Sequence, residues 1–245
     1  MSRIVSVFVP CLMDAPHPET ARSVVTVLRR IGVSVNIPKE QSCCGQPAYN
    51  NGYRREAARV ARRFLKTFAS ARAIVCPSGS CVHMIRHEYP VLFANDAQWL
   101  RLAEEIGKRT FELTEFLVDV LQVTDVGACY PAKATYHDSC HLARGLGIRS
   151  QPRELLSNVR GLQWVEMKDS DRCCGFGGAF SIKYPEISTA LCDDKIENIR
   201  NTGADTVIGC DMGCLMHIAA RLATTGSPIH VRHIADILAH TGNAP

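Results

Sequence analysis

The chain has 245 residues with 46% hydrophobic and 21% charged side chains, a balance that excludes disordered and fibrous proteins and leaves enough apolar material for a sizeable core. A formal net charge of +4 is too mild to imply nucleic acid. Twelve cysteines are the one departure from ordinary composition. Disulfide scaffolds are small secreted domains without a core, so metal or redox chemistry in a reducing, cytoplasmic setting explains the cysteines better.

In chain order, Met1-Ser2-Arg3 and the apolar run from Ile4 to Met13 look superficially like a secretory leader, but Pro10 interrupts the run and Asp14 follows without a small-residue cleavage pattern. No apolar stretch approaches the ~18 residues of a membrane span, so any membrane association would come through partners. Short β-branched runs predict strands at Val5 to Val9, Val33 to Ile37, Ala73 to Val75 and Thr110 to Leu113. Pro18 and Glu19 open a helix with Ala21, Val24, Val25, Leu28 and Ile31 on one face, and Arg54 to Ser70 forms another around Ala57, Val60, Ala61, Phe64, Leu65 and Phe68. Residues 96–121 carry helices that lead into a second set of strands: Ala134 to Tyr136, Leu162 to Val165, Thr206 to Ile208 and Ile229 to Val231. Strands alternating with helices predict an α/β fold with parallel sheets and crossover helices.

The cysteines show that the two sets are copies. Cys11 is followed after 31 residues by Cys43-Cys44-Gly45 and after another 31 by Cys76, with Cys81 beyond it. Cys140 is followed after 32 residues by Cys173-Cys174-Gly175 and after 35 by Cys210, with Cys214 beyond it. Ile31 to Pro38 answers Arg160 to Met167, and Arg72 to Cys76 answers Asp205 to Cys210. This reading places ten of the twelve cysteines in register and predicts two tandem pseudo-symmetric units, residues 1–125 and 126–245. Each of these cysteines falls at or just beyond the carboxyl end of a strand, where one crevice would collect them. Cys81 and Cys214 begin helices, whose N-terminal amides favour thiolate.

The pairs Cys76/Cys81 and Cys210/Cys214 suit the spacing of a single zinc ion. The vicinal pairs suit it less, because adjacent side chains diverge and would reach two metal atoms, which favours a polynuclear iron-sulfur cluster. Gly45, Gly175 and Phe176-Gly177-Gly178 leave room for an inorganic core near the backbone. No Gly-x-Gly-x-x-Gly follows a strand, so neither a flavin nor a nicotinamide site is expected.

These residues resemble the cysteine-rich CCG proteins, a family that includes the heterodisulfide reductase B subunits and, more closely, the lactate utilization A proteins. The resemblance covers nearly the whole chain and is carried by Gln41 to Asn50 (QSCCGQPAYN), Pro77 to Cys81 (PSGSC), Ser139-Cys140-His141, Cys173 to Gly178 (CCGFGG) and Gly213 to Met216 (GCLM). It implies an iron-sulfur subunit, an oxidoreductase component rather than a complete enzyme, that relays electrons in bacterial oxidation of L-lactate to pyruvate beside lactate utilization proteins B and C. It further implies two clusters of [4Fe-4S] type, one on Cys11, Cys43, Cys44 and Cys81, the other on Cys140, Cys173, Cys174 and Cys214. In the heterodisulfide reductase relatives the last two cysteines are closer together and five thiolates hold a noncubane cluster. The wider spacing here leaves Cys76 and Cys210 as open fifth ligands and cubane against noncubane undecided. Two further readings stand beside this one: a heterodisulfide reductase-like thiol-disulfide oxidoreductase with noncubane clusters, and a zinc-binding assembly subunit.

Cys129 and Cys192 fall outside the repeat and receive no role. His83, His137, His141 and His217 lie near cysteines, but core or helix-surface packing is the simpler reading for each. Arg55, Arg59, Arg62, Arg63 and Lys66 form a basic stripe that reads first as a solvated helix face.

Overall fold

Two four-stranded parallel sheets organise the computed structural model, which describes residues 4–242; Met1-Ser2-Arg3 lie outside the described residues. The chain divides into two units, Met1–Val120 and Leu121–Pro245. The first sheet contains β1 (Ile4–Val7), β2 (Ser34–Asn36), β3 (Ile74–Cys76) and β4 (Thr110–Glu112), in the order β2-β1-β3-β4. The second contains β5 (Cys129–His137), β6 (Arg160–Trp164), β7 (Thr206–Gly209) and β8 (His230–His233), in the order β6-β5-β7-β8. All the expected strands are present. β5 extends well upstream of Ala134, through Pro131 and a register shift that let a turn-like segment join the sheet.

Parallel strands need crossovers, and helices supply them. The helix Pro18–Arg30 begins with proline at its first position and Glu19 in its first turn, and ends on Arg29 and Arg30, so both ends complement the helix dipole. Its buried face is Thr20, Val24, Val27 and Leu28; the helix Arg54–Thr67 buries Ala57, Ala61, Phe64 and Leu65. Phe8, Phe64, Phe68 and Tyr89 then form an aromatic cluster under the first sheet, with Phe8 and Phe64 edge to face at 4.9 Å. The second unit packs Met167, Cys174, Cys192, Ile196, Ile199, Val207, Ile218 and Leu222.

In both sheets the strand order reverses beside the first strand of the unit, between β1 and β3 and between β5 and β7. Such a switch point leaves a crevice at the carboxyl edge, because the connections on either side leave in opposite directions. Register matches the central strands of the two units position by position. Val7 pairs with Val75 as Tyr136 pairs with Ile208, and Cys76 pairs with Glu112 as Gly209 pairs with His233. Glu112 and His233 each cap the helix that follows them.

This register corrects one part of the cysteine alignment. Cys76 is the counterpart of Gly209, and Cys210, one step past β7, is the counterpart of Pro77. The residues that follow agree, since Ser78 and Asp211 stand at the N-caps of helices whose third residues are Cys81 and Cys214. Eight cysteines are therefore equivalent, and Cys76 and Cys210 are one residue out of step because the loop from β3 to its helix holds its cysteine earlier.

Glu112 is fully buried, and its Oε2 accepts the backbone amides of Thr114 and Glu115 while Oε1 has no hydrogen-bond partner. Burial lifts its carboxyl from 4.5 to about 7, against the hydrogen bonds from Thr114 and Glu115. Between those two values the folded chain holds a proton that the unfolded chain has lost, so stability falls as pH rises through the window. Denaturant titrations from pH 4.5 to 7 are expected to show a loss on the order of 1–3 kcal/mol that Glu112→Gln flattens.

Candidate metal centres

In the first unit, Cys11 follows β1, Cys43 and Cys44 lie in the loop after β2, and Cys81 opens the helix after β3. The switch point brings their thiols together. Cys11 Sγ donates to Cys43 Sγ at 3.6 Å, Cys43 and Cys44 share a hydrogen bond, Cys44 and Cys81 share another, and Cys11 and Cys81 repel each other electrostatically across the set. The second unit repeats the ring through Cys140–Cys173, Cys173–Cys174 and Cys174–Cys214, with repulsion between Cys140 and Cys214. All of these cysteines are free thiols.

The vicinal thiols converge, contrary to the divergence expected of neighbours. That expectation applies to extended strands and helices, whereas Cys43-Cys44 and Cys173-Cys174 sit in irregular loops that turn through Gly45 and Gly175 at φ +86° and +85°. The turn also aims an amide at a sulfur: Gly45 N–H donates to Cys43 Sγ and Gly175 N–H to Cys173 Sγ, each at 3.3 Å.

One sulfur in each ring is held as thiolate. Hydrogen bonds from Cys11 and Cys44, assisted by the Gly45 amide, pull Cys43 down to about 3 against burial. Cys140, Cys174 and the Gly175 amide pull Cys173 down to about 2 in the same way. The donors move the other way: Cys11 and Cys44, like Cys140 and Cys174, are raised, first by these same bonds and then by burial. Cys214 is brought down to about 6, chiefly by Cys174, with the His137 ring adding to it against burial.

Cys76 and Cys210 are fully buried. Cys76 Sγ faces the Ser78 carbonyl at 3.9 Å, and Cys210 Sγ lies 2.9 Å from the Tyr136 hydroxyl. Cys192 is a core thiol of the second unit, lifted by burial to about 11, and Cys129 lies half-buried at the start of β5. The histidines divide. His217 Nε2 pairs with Ser188 Oγ at 3.2 Å, and His83 faces Glu88 at 3.9 Å. His141 Nδ1 reaches Cys140 Sγ at 3.6 Å, and His137 lies with Cys174 and Cys214, their ligand atoms all within 4.8 Å of one another. Simple core packing therefore does not describe His137.

Several residues that the sequence did not single out position these loops. Tyr89 donates its hydroxyl to the Cys44 carbonyl at 2.8 Å. Asp138, 1% exposed, receives both arms of Arg153 at 3.0 and 2.7 Å and the Ser170 hydroxyl at 2.7 Å, fixing the end of β5. Lys195, wholly buried, donates to the carbonyls of Asp169 and Ser170 at 3.0 Å each and braces the loop before Cys173; burial lowers its ammonium to about 8. The available signal was a lysine interrupting the apolar face of the helix Pro185–Asn201, between Cys192 and Ile199.

The basic stripe of the Arg54–Thr67 helix, including Arg55, Arg59, Arg62, Arg63 and Lys66, lines a surface groove together with Glu40 and Leu92. Among the described residues no helix is long and apolar enough to cross a membrane.

Comparison with known proteins places this geometry among relatives. The CCG family, described as a cysteine-rich domain, matches residues 5–86 and again 134–219. A protein named lactate utilization protein A from Exiguobacterium sp. is 50% identical over 236 residues, covering 96% of each chain. The protein of the same name from Bacillus subtilis is 47% identical over 234 residues, covering 96% of this chain and 98% of its own. Among solved structures, a hypothetical protein from Helicobacter pylori shares the fold with a TM-score of 0.69 at 10% identity, over 99% of this chain and 50% of its own length.

The glycine turns set a test of the site's backbone. A Cβ at Gly175 would stand 2.3 Å from the Ser188 carbonyl oxygen, whereas one at Gly45 would meet its nearest neighbour, the Ala57 carbonyl, at 3.4 Å. Gly45→Ala is expected to cost about 1–2 kcal/mol through its left-handed backbone alone. Gly175→Ala must also displace the Pro185–Asn201 helix and is expected to cost roughly 3 kcal/mol or more, read as the difference between their urea midpoints.

Proposed function

The chain belongs to the CCG cysteine-rich domain family, and from that premise we propose that it is the iron-sulfur electron-transfer subunit of a bacterial assembly that oxidises L-lactate to pyruvate, working beside lactate utilization proteins B and C. The observation that carries this reading is the ring of four thiols, built twice at the switch point of a parallel sheet. Relatives named lactate utilization protein A, 50% and 47% identical over 96% of the chain, support the substrate.

The donor set fits the group. Free thiols from separate loops converge on one point, one of them is already anionic, and backbone amides face its sulfur. Soft thiolate sets of this kind select iron-sulfur clusters or zinc. Cys11, Cys43, Cys44 and Cys81 would hold one cluster and Cys140, Cys173, Cys174 and Cys214 the other. These eight are the equivalent cysteines, while Cys76 and Cys210 occupy different steps of the fold. A bound cluster supplies one-electron storage. Lactate gives up two electrons and two protons in becoming pyruvate, and the duplicated unit offers two one-electron sites to carry those electrons to a partner.

This chain's own residues supply the cradle. The Gly45 and Gly175 amides stabilise anionic sulfur, Tyr89 and Lys195 hold the loops that bear the vicinal pairs, and the Arg153–Asp138 pair fixes the loop that bears Cys140.

In a bacterium whose own copy of this gene is deleted, the wild-type chain and Cys129→Ser should restore growth on lactate. Cys43→Ser and Cys173→Ser should reduce it at least tenfold while the protein still accumulates. Full growth with both ligand variants would refute the electron-transfer reading, and disulfide-dependent turnover without lactate dependence would assign the chain to thiol-disulfide chemistry instead.

A further inference from the structure

The two thiol rings are alike, but the walls behind them are not. Counting back from Cys11 and Cys140, Phe8 in the first unit is the counterpart of His137 in the second, and the pairing of Val7 with Val75 and Tyr136 with Ile208 gives the same match. Gly45 rests against Ala57 and Val60, and Gly175 against Ser188 and Leu191. The helices therefore align so that Phe64 is the counterpart of Lys195. Phe8 and Phe64 pack edge to face at 4.9 Å and are fully buried. In the second unit these two places hold an imidazole and an ammonium.

His137 is 1% exposed, neither of its ring nitrogens meets a nitrogen or oxygen partner, and the group its ring engages is the Cys214 sulfur, which it holds toward thiolate. Native structures leave few buried polar groups without an ion or water to meet them. The fold does not require histidine here, since the first unit fills the position with phenylalanine. What lies beside the ring is sulfur: the ligand atoms of His137, Cys174 and Cys214 are all within 4.8 Å of one another. Metal–sulfur and metal–nitrogen bonds of about 2.3 and 2.0 Å put such atoms roughly 3.5 Å apart around one ion, so a small inward movement completes the site. Opposite His137 in the sheet is Gly209, where a Cβ would stand 3.0 Å from Leu215 Cδ2, so the Leu215 side chain closes that side of the strand end.

We propose that His137 is a metal ligand of the second centre, beside Cys174 and Cys214, so that this unit offers a mixed histidine and cysteine donor set where the first offers sulfur alone. The inference rests on the cluster reading above and adds an asymmetry to it. A neutral imidazole in a thiolate set raises a cluster's reduction potential. The Lys195 ammonium, attracted to Cys174 and Cys214, acts in the same direction. The second centre is then the one reduced first, and electrons pass toward it.

The test reconstitutes the full chain anaerobically with ferrous iron and sulfide, with and without ¹⁵N-labelled histidine, and reads pulsed EPR of the reduced protein alongside a redox titration. A histidine nitrogen coupling is expected on the signal that survives Cys43→Ser and disappears with Cys173→Ser, and that signal should titrate at the higher potential. His137→Phe should abolish the coupling. His137→Cys, which replaces the ligand with another, should retain iron, lose the coupling and titrate lower. Bound iron and sulfide with no histidine coupling, or a coupling that survives His137→Phe and is lost with His141→Phe, overturns the ligand assignment alone. A wild-type chain that retains no iron or sulfide overturns the cluster reading and this inference with it.

Discussion

Sulfur atoms held in contact cannot all become anions without a cation among them. Two thiolates 4 Å apart repel by about 4 kcal/mol at an effective dielectric constant of 20, and several such pairs in one ring rival the ~5–15 kcal/mol net stability of a folded domain. The thiols' own response to this constraint is to share protons: Cys43 and Cys173 are drawn toward the anion while their neighbours are pushed to hold their hydrogens. A metal core would meet it by supplying positive charge, and a coordinating thiol is then deprotonated outright.

The sheet topology creates the constraint. Loops leaving the switch point are the only segments that can deliver several side chains to one spot while the strands behind them stay buried. The helix dipole and the left-handed glycine turns add donors where negative charge gathers. The rest of each unit is scaffold for these loops, through aromatic packing in the first unit and through Lys195 and the Arg153–Asp138 pair in the second. Duplication kept the thiols and let the supporting walls diverge.

Much of this was legible in the sequence. The strands were, because short β-branched runs alternating with helical periods mark parallel strands joined by crossover helices, and so was the duplication, because cysteines are rare enough to serve as alignment marks. The true equivalence of Cys76 and Cys210 was not, since it depends on which residue of β3 and β7 pairs with Glu112 and His233. The convergence of the vicinal thiols was hidden by reasoning from regular backbone in segments that are irregular. His137 looked like one histidine among four, because its separation of 37 residues from Cys174 says nothing of a distance in space. Lys195 carried a faint signal, a charge on an apolar helix face, whose meaning appears only when the carbonyls of Asp169 and Ser170 are seen to receive it.

The most direct measurement of the central claim is the iron and acid-labile sulfide content of anaerobically prepared protein, with a Mössbauer spectrum of the ⁵⁷Fe-loaded chain. Cluster iron is expected in two portions, one lost with Cys11→Ser and the other with Cys140→Ser. Stoichiometric zinc with no sulfide, or iron indifferent to both substitutions, would contradict it.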